Sequence, residues 1–460
     1  MAKRSRSPFD SLSDVPAVRE AAAGLIEAVA EAWRGRALEA RGYDRTLQEI
    51  GRRRGRPLMF PLLTAGPGRG ARIALADGST KLDFVGGIGV YGFGHSDTDL
   101  LQTAVVAAAA DTVFQGHLAP GPEYLRLTRA LLRHTGKKIR HCWLSVSGAM
   151  ANENALKMIL QKHAPADRIV AFDGAFAGRT WALSELTDRP AFREGIPLRG
   201  NVLHVPFWDP EHPEGSTACA LAALERHLAR HPGRIAGMLF ELVQGEGGIR
   251  PAPREFFAAL MERCREAKIA VWVDEVQTFG RTPGLFAYRT LELDDLVDVV
   301  TVGKMLQGSA VLFRRAYNPK PGLVAGTYAG ASVGMAVGAR IIERLESEGY
   351  LGPEGRLAVL GRRVERRFKI LRERLPGAVG PDAGIGAMQG FVPFDGSAEV
   401  LKEVLHTAFE EGLLVFGAGS NPGRVRLLLP VNVTDEELEA GFTVLEKSLV
   451  RVAEARGLSC

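Results

Sequence analysis

The sequence predicts an α/β fold, with a doubly wound, mostly parallel sheet in a large domain and a smaller α+β domain beside it. Three observations lead there. Strand-like and helix-like segments alternate from about residue 140 to residue 315, the pattern of a parallel sheet with crossover helices. Several strand-like segments, such as Ile269 to Val273, are short and almost wholly apolar, as strands buried on both faces read. At 460 residues the chain is too long for one ordinary domain. Its 46% hydrophobic and 24% charged residues exclude a disordered or fibrous chain.

Taken in order, residues 1–55 read as polar and helical, with one helix from about Val15 to Glu39. Arg56 to Phe60 and Ala71 to Phe84 follow as short strands, the second stretch folded at ADGST, which is hairpin-turn chemistry. The expected division is an N-terminal helical segment with small-domain strands over 1–85, a large domain over 86–330 and a C-terminal small domain over 331–460. The first 60 residues hold 12 Lys/Arg against 8 Asp/Glu, so most of the net charge of +5 lies there. The RRRGR run at 52–56 is of a kind also found in nucleic-acid binders; on a polar helical segment it reads better as a solvated face, and no nucleic-acid partner is expected. No apolar run reaches the ~18 residues of a membrane span. AAAGLIEAVAEAW carries Glu27 and Glu31, unlike a signal-peptide core. Cys142, Cys219, Cys264 and Cys460 are scattered with no CxxC pair, which points to a reduced cytoplasmic protein without a metal site.

The chemistry gathers at the ends of the apolar runs. Trp143 to Val146 read as a strand end, Ser147-Gly148-Ala149 as a turn, and a helix is expected from about Asn152. A helix N-terminus offers unpaired N–H groups and suits a phosphate, and glycine lets the backbone come close. Arg168 to Phe172 and Ile235 to Phe240 are further buried strands, the latter ending on Glu241. Ile269 to Val273 ends on Asp274, where an open α/β sheet holds its ligand. VDVVTVG then delivers Lys304 to another strand end. Taken singly, Asp274 also reads as a helix N-cap, Glu241 as a structural carboxylate and Lys304 as a solvated strand-end lysine. Together, an acid and a lysine on neighbouring strand ends suit pyridoxal 5'-phosphate (PLP). The amine can form a Schiff base with its aldehyde, and the carboxylate favours a protonated ring nitrogen.

DEVQTFGRTPGLFA followed by TVGK resembles the signature of the class III aminotransferases, and the resemblance extends over about residues 70–450. It implies PLP-dependent transferase fold type I. KLDFVGGIGVYGFGHSDTDL resembles the family segment lining the substrate entrance, with Ile88 and Tyr91 as its side chains; simple packing is the other reading of Tyr91. SGAMANE resembles the phosphate-cup turn, assigning Ser147, Gly148 and Ala149 to the phosphate, with Met150 where the family usually has an acid. AFAGRT resembles aromatic-His-Gly-Arg-Thr. Phe176 would stack on the cofactor ring and Arg179 would hold a substrate carboxylate, a surface ion pair being the alternative; Ala177 replaces the histidine. In FELVQGEGG, Leu242 replaces the usual proline. Glu241 falls on the cofactor side, and Glu246 matches a gate paired with Arg426, which would take the α-carboxylate of glutamate or 2-oxoglutarate. Val276 would pack on one ring face and Gln277 would bond the ring hydroxyl. GTYAGAS resembles the stretch whose threonine, here Thr327, reaches the cofactor phosphate of a partner subunit, which implies a homodimer.

The implied activity is ping-pong transamination from an ornithine, acetylornithine, lysine or 4-aminobutyrate type of donor to 2-oxoglutarate. Lys304 would move the proton, and Asp274 would hold the ring charge. The segment between Lys304 and Thr327 is shorter than in the family, and Ala331-Ser332 replaces Asn-Pro. These departures leave an aminomutase or racemase on the same fold as a second reading. A non-catalytic relative is the third, against which the presence of both Asp274 and Lys304 argues.

Overall fold

The computed structural model describes residues 11–458 except 112 and 114–116. By contact the chain divides into two compact units, Ala107–Val359 with Ala383–Gly386, and Ser11–Val106 with Leu360–Asp382 and the chain from Ala387 onward. The expected cuts after residues 85 and 330 fall inside these segments. The chain changes unit within helices Thr98–Ala110 and Arg356–Arg374, where composition gives no linker signal.

The first unit is built on seven strands: β1 (His141–Ser145), β2 (Arg168–Phe172), β3 (Val202–Val205), β4 (Ile235–Phe240), β5 (Ala270–Glu275), β6 (Val299–Val302) and β7 (Ser309–Phe313). Their order is β1-β7-β6-β5-β4-β2-β3. Only β7 runs antiparallel to its neighbours. Every residue of β4 and β5 is buried, which is why these strands read as apolar runs without alternation. Successive side chains leave opposite faces. Leu239 and Trp272 join a core with Ala151, Ala155 and Ile159 of helix α1 (Gly148–His163). Phe240 and Phe172 instead meet an aromatic cluster with Phe256 and Phe257 of helix α2 (Arg254–Glu266). With both faces covered, only the strand ends are left for chemistry.

In the second unit, Arg72–Ala74 and Thr80–Asp83 pair as an antiparallel hairpin, with Leu413–Leu414 added parallel to the latter. Arg424–Leu428 lies between Met388–Pro393 and Phe416–Ala418, antiparallel to both. The last helix, Asp435–Arg456, opens on a capping box made by Thr434 and Glu437.

Three expected elements differ. The helix expected over Val15–Glu39 runs Pro16–Trp33 and resumes at Ala40–Arg54, broken where Gly35 turns to φ 73°. Arg56 to Phe60 form no strand; Pro57 and Pro61 remove ladder donors on both sides of the apolar residues. The helix after β1 starts at Gly148, four residues before the expected Asn152. Among the described residues no helix is long and apolar enough to cross a membrane. Cys142, Cys219 and Cys264 are free, and Cys460 lies outside the described residues.

Candidate active site

Strand register assembles the site. Asp274 pairs with Thr301 across β5 and β6, and Val273 with Phe240 across β5 and β4. The residue after Phe240 is Glu241, so the carboxyl ends of β4, β5 and β6 bring Glu241, Asp274 and Lys304 to one rim. Lys304 itself stands in the left-handed region at φ 46°. That is uncommon for a residue with a Cβ, and such strain concentrates at functional positions.

The N-terminus of α1 meets the same rim. Ser147 is its N-cap, and the Ser147 Oγ accepts from Met150 N at 3.2 Å. Gly148 is required: a Cβ there would lie 2.6 Å from Val276 Cγ1. Gly303, immediately before Lys304, also lies close, since its Cβ would sit 3.3 Å from both Gly148 Cα and Val276 Cγ1. The backbone carrying Lys304, the turn Ser147-Gly148-Ala149 and the Val276 side chain are therefore in mutual contact.

Asp274 is buried and doubly held. Val276 N donates to its Oδ1 at 2.8 Å, and Asn152 Nδ2 donates to its Oδ2 at 2.7 Å. Asn152 also donates to the Ala177 carbonyl at 2.7 Å, tying β5, α1 and the loop after β2 together. Burial lifts the Asp274 carboxyl to about 6, opposed by Val276 N–H, Asn152 and the Lys304 charge. Glu241 is pushed up to about 8 by burial and by its neighbour Asp274. It accepts from Phe176 N at 2.8 Å and from Gly245 N at 3.3 Å. Burial likewise lifts Glu275 to about 7, against donors from Thr278 and from Tyr288 N. Perturbed carboxyls gathered at strand ends mark a candidate functional site with a physical cause, here burial of several acids close to one another.

Two further observations test whether these residues fit PLP. Gln277 Oε1 is buried without a hydrogen-bond partner, and the Gln277 amide is pressed against Gly245, whose Cβ would lie 2.5 Å from it. A buried polar atom left over in a native site points to a ligand that completes it. The N-cap turn presents backbone donors beside that atom's own loop. Acid, amine, amide and helix N-terminus together suit the ring nitrogen, aldehyde, ring hydroxyl and phosphate of PLP.

The remaining expected residues are more dispersed. Arg179 is exposed and lies over the Phe192 ring at 3.9 Å; Phe192 meets Phe176 edge-on, centroids 6.2 Å apart. The Glu246 carbonyl accepts from Arg189 Nη2. Thr327 lines a cavity of about 580 Å³ with His117, Trp143 and Val324. Tyr91 and Arg426 belong to the second unit. Tyr91 is 42% exposed and packs on His95 with ring centroids 4.4 Å apart, whereas Arg426 is fully buried opposite Gly390 and Phe416. A cavity of about 930 Å³ lies in that unit among Gln48, Arg52, Arg56 and Pro57, and none of the paired acids or Lys304 lines it. Sequence reasoning missed Asn152 as the second donor to Asp274. The sequence carries no signal for it, since only the structure places it one turn into α1 on a buried face.

Comparison with known proteins agrees with this geometry. The family model described as aminotransferase class-III matches residues 54–449. A 2-aminoadipate transaminase from Pseudomonas putida is 33% identical over 85% of this chain and 96% of its own length. An acetylornithine aminotransferase from Gloeobacter violaceus is 31% identical over 84% of this chain and 92% of its own. The fold matches that of a lysine aminotransferase from M. tuberculosis with a TM-score of 0.80, at 24% identity, over 89% of this chain and 99% of that one. The architecture is thus that of the fold type I PLP enzymes. The chain belongs to the class III aminotransferases, enzymes whose cofactor is pyridoxal 5'-phosphate.

Proposed function

We propose that this enzyme takes the amino group from a carboxylate-bearing donor, most simply an ω-amino acid, and delivers it to 2-oxoglutarate in a ping-pong cycle. The observation that carries the reading is the junction of buried Asp274, Lys304 and the α1 N-terminus. The N–H groups of Ser147, Gly148 and Ala149 would hold the phosphate, Asp274 the ring nitrogen, Gln277 the ring hydroxyl and Lys304 the aldehyde carbon. Val276 and Phe176 would cover the ring faces, and Glu241 would fix the Phe176 backbone. Bound there, PLP supplies the electron sink for cleavage of the C–H bond beside the donor nitrogen. Lys304 Nζ takes that proton as a base and returns it as an acid. Arg179 would receive a substrate carboxylate, Arg426 the α-carboxylate of the acceptor under the control of Glu246, and Tyr91 would line the approach. Relatives named for 2-aminoadipate, acetylornithine and 5-aminovalerate support a donor carrying both an amine and a carboxylate.

The experiment is a panel of ornithine, N-acetylornithine, lysine, 4-aminobutyrate, 5-aminovalerate and 2-aminoadipate with 2-oxoglutarate, scored by glutamate formed. At least one donor is expected to yield glutamate. Turnover of a donor without acceptor consumption would replace this reading with an aminomutase or racemase.

We further infer a homodimer in which Thr327 reaches the phosphate cup of the second copy. Thr327 is exposed, as are its neighbour Tyr328 and the cavity residue Leu118, at 65% and 80%. Sedimentation at micromolar concentration is expected to show a dimer, and an active PLP-bound monomer would exclude it.

A further inference from the structure

The loop after β2 places a second arginine and an aromatic ring, neither given a role above, beside Arg179. Two guanidinium groups flank one ring: Arg179 Cζ lies 3.9 Å from the Phe192 centroid and Arg189 Cζ lies 6.0 Å from it. Among the described residues neither arginine has an acidic partner. Arg189 is fixed by donating to the Glu246 carbonyl, and Arg179 rests on the ring face alone. Such stacking orients a guanidinium while leaving its in-plane N–H fork free, the geometry that pairs bidentately with a carboxylate.

The stretch that leads to the ring is itself held. Thr187 is buried, accepts from Ala177 N at 3.1 Å and donates to the Gly178 carbonyl at 2.8 Å. Asp188 N donates to the Ala175 carbonyl at 2.8 Å, and Gly174 N donates to Asp188 Oδ2 at 2.9 Å. Arg193 Nη1 closes the turn on the Thr187 carbonyl at 2.9 Å. The stretch that presents Phe192 is thus fastened to the stretch that presents Phe176 and Arg179. Two like charges held around one ring lack only an anion.

We propose that Phe192 is a specificity-determining positioning residue, the platform on which Arg179 and Arg189 form a subsite for the carboxylate of the substrate. The inference rests on the transamination reading and deepens it: to the carboxylate contact already given to Arg179 it adds Arg189 as a second charge and Phe192 as the ring that orients both. Phe192 acts through the arginines. Its loss therefore affects binding of carboxylates and leaves the proton transfer at Lys304 unchanged.

The test uses PLP-loaded enzyme and the variants Phe192→Leu, Phe192→Tyr and Arg189→Met. Phe192 is 36% exposed, so none of these changes removes a core side chain. Glutarate, a non-reacting dicarboxylate, is titrated calorimetrically. KM and kcat are measured for 5-aminopentanoate and for pentylamine, which lacks the carboxylate. Phe192→Leu and Arg189→Met are expected to weaken glutarate binding and raise KM for 5-aminopentanoate about threefold to thirtyfold. KM for pentylamine and both kcat values stay within about twofold, and Phe192→Tyr restores wild-type binding because its ring keeps the same face. Three outcomes would overturn the proposal: wild-type enzyme that does not bind glutarate, Phe192→Leu that binds it unchanged, or an equal rise in KM for both amines. Competition by inorganic phosphate as strong as by glutarate would also overturn it, since the site would then be a general anion site. Absence of turnover with either amine in wild type would count against the transamination reading, while the glutarate titration still decides the subsite.

Discussion

Asp274 keeps its charge in a buried position through two donors, and one of them is a side chain that can be removed. In Asn152→Ala the Asp274 Oδ2 atom loses its 2.7 Å partner while Val276 N–H still serves Oδ1. A lost hydrogen bond to the ionised form raises a carboxyl pKa. Since the proposed role of Asp274 needs the ionised form, the acid limb of the kcat profile is expected to move to higher pH by about one to two units, the range of a hydrogen bond to a charged group. An unchanged acid limb would show that Val276 N–H suffices. Asp274 and Lys304 were legible in the sequence because each follows a wholly apolar run, so chain position alone placed them at strand ends. Asn152 was not legible, because a polar residue inside a helix reads as surface until the sheet is known to lie against it. Gln277 was assigned by resemblance, but its uncompensated Oε1 is a fact of packing alone.

At the level of elements, the close approach of α1 to the Val276 turn is the feature most open to test. Gly148→Ala places a Cβ where Val276 Cγ1 leaves 2.6 Å, so either the helix start or the valine has to move. PLP affinity, measured by cofactor retention and by spectroscopic titration, is expected to fall at least about tenfold, equivalent to ~1.4 kcal/mol. Adding Val276→Ala should recover part of the loss, as contacting positions do when coupled. Unchanged affinity in the single variant would remove this turn from the phosphate site. The parallel strands were readable because burial on both faces eliminates alternation. The start of α1 was misplaced because the Gly-Ala-Met-Ala run gives no helix boundary signal after Ser147, although the serine itself is an ordinary N-cap. The Arg56–Phe60 strand failed for a different reason: apolar composition was there, but prolines at 57 and 61 deny it a ladder.

For the molecule as a whole, the buried carboxyls couple stability to pH. Glu241 carries its proton up to about pH 8 in the folded state, above its ordinary value of 4.5, and Glu275 up to about 7. Between those values the folded state holds protons that the unfolded chain has released, so stability falls as pH rises, by at most about 1.4 kcal/mol per pH unit for each group. The contribution is complete below the unfolded value and gone above the folded one. In the PLP-free protein, Glu241→Gln should therefore flatten the decline in Tm between pH 5 and 8 and be relatively more stable than wild type at the alkaline end. Parallel Tm curves for the two proteins would contradict this. The discontinuity of the second unit has a further effect, on the order of assembly during synthesis. Thr80–Asp83 needs Leu413–Leu414 as its parallel neighbour, and Lys81 donates to the carbonyl of Phe409, 328 positions later. At roughly 5–20 residues per second, that partner leaves the ribosome about 15–70 s after the first strand. Meanwhile nearly all of the seven-stranded unit, Ala107–Val359, has been made. The nascent N-terminal quarter must stay soluble while the middle of the chain folds first, and its basic, helix-forming opening is suited to that wait.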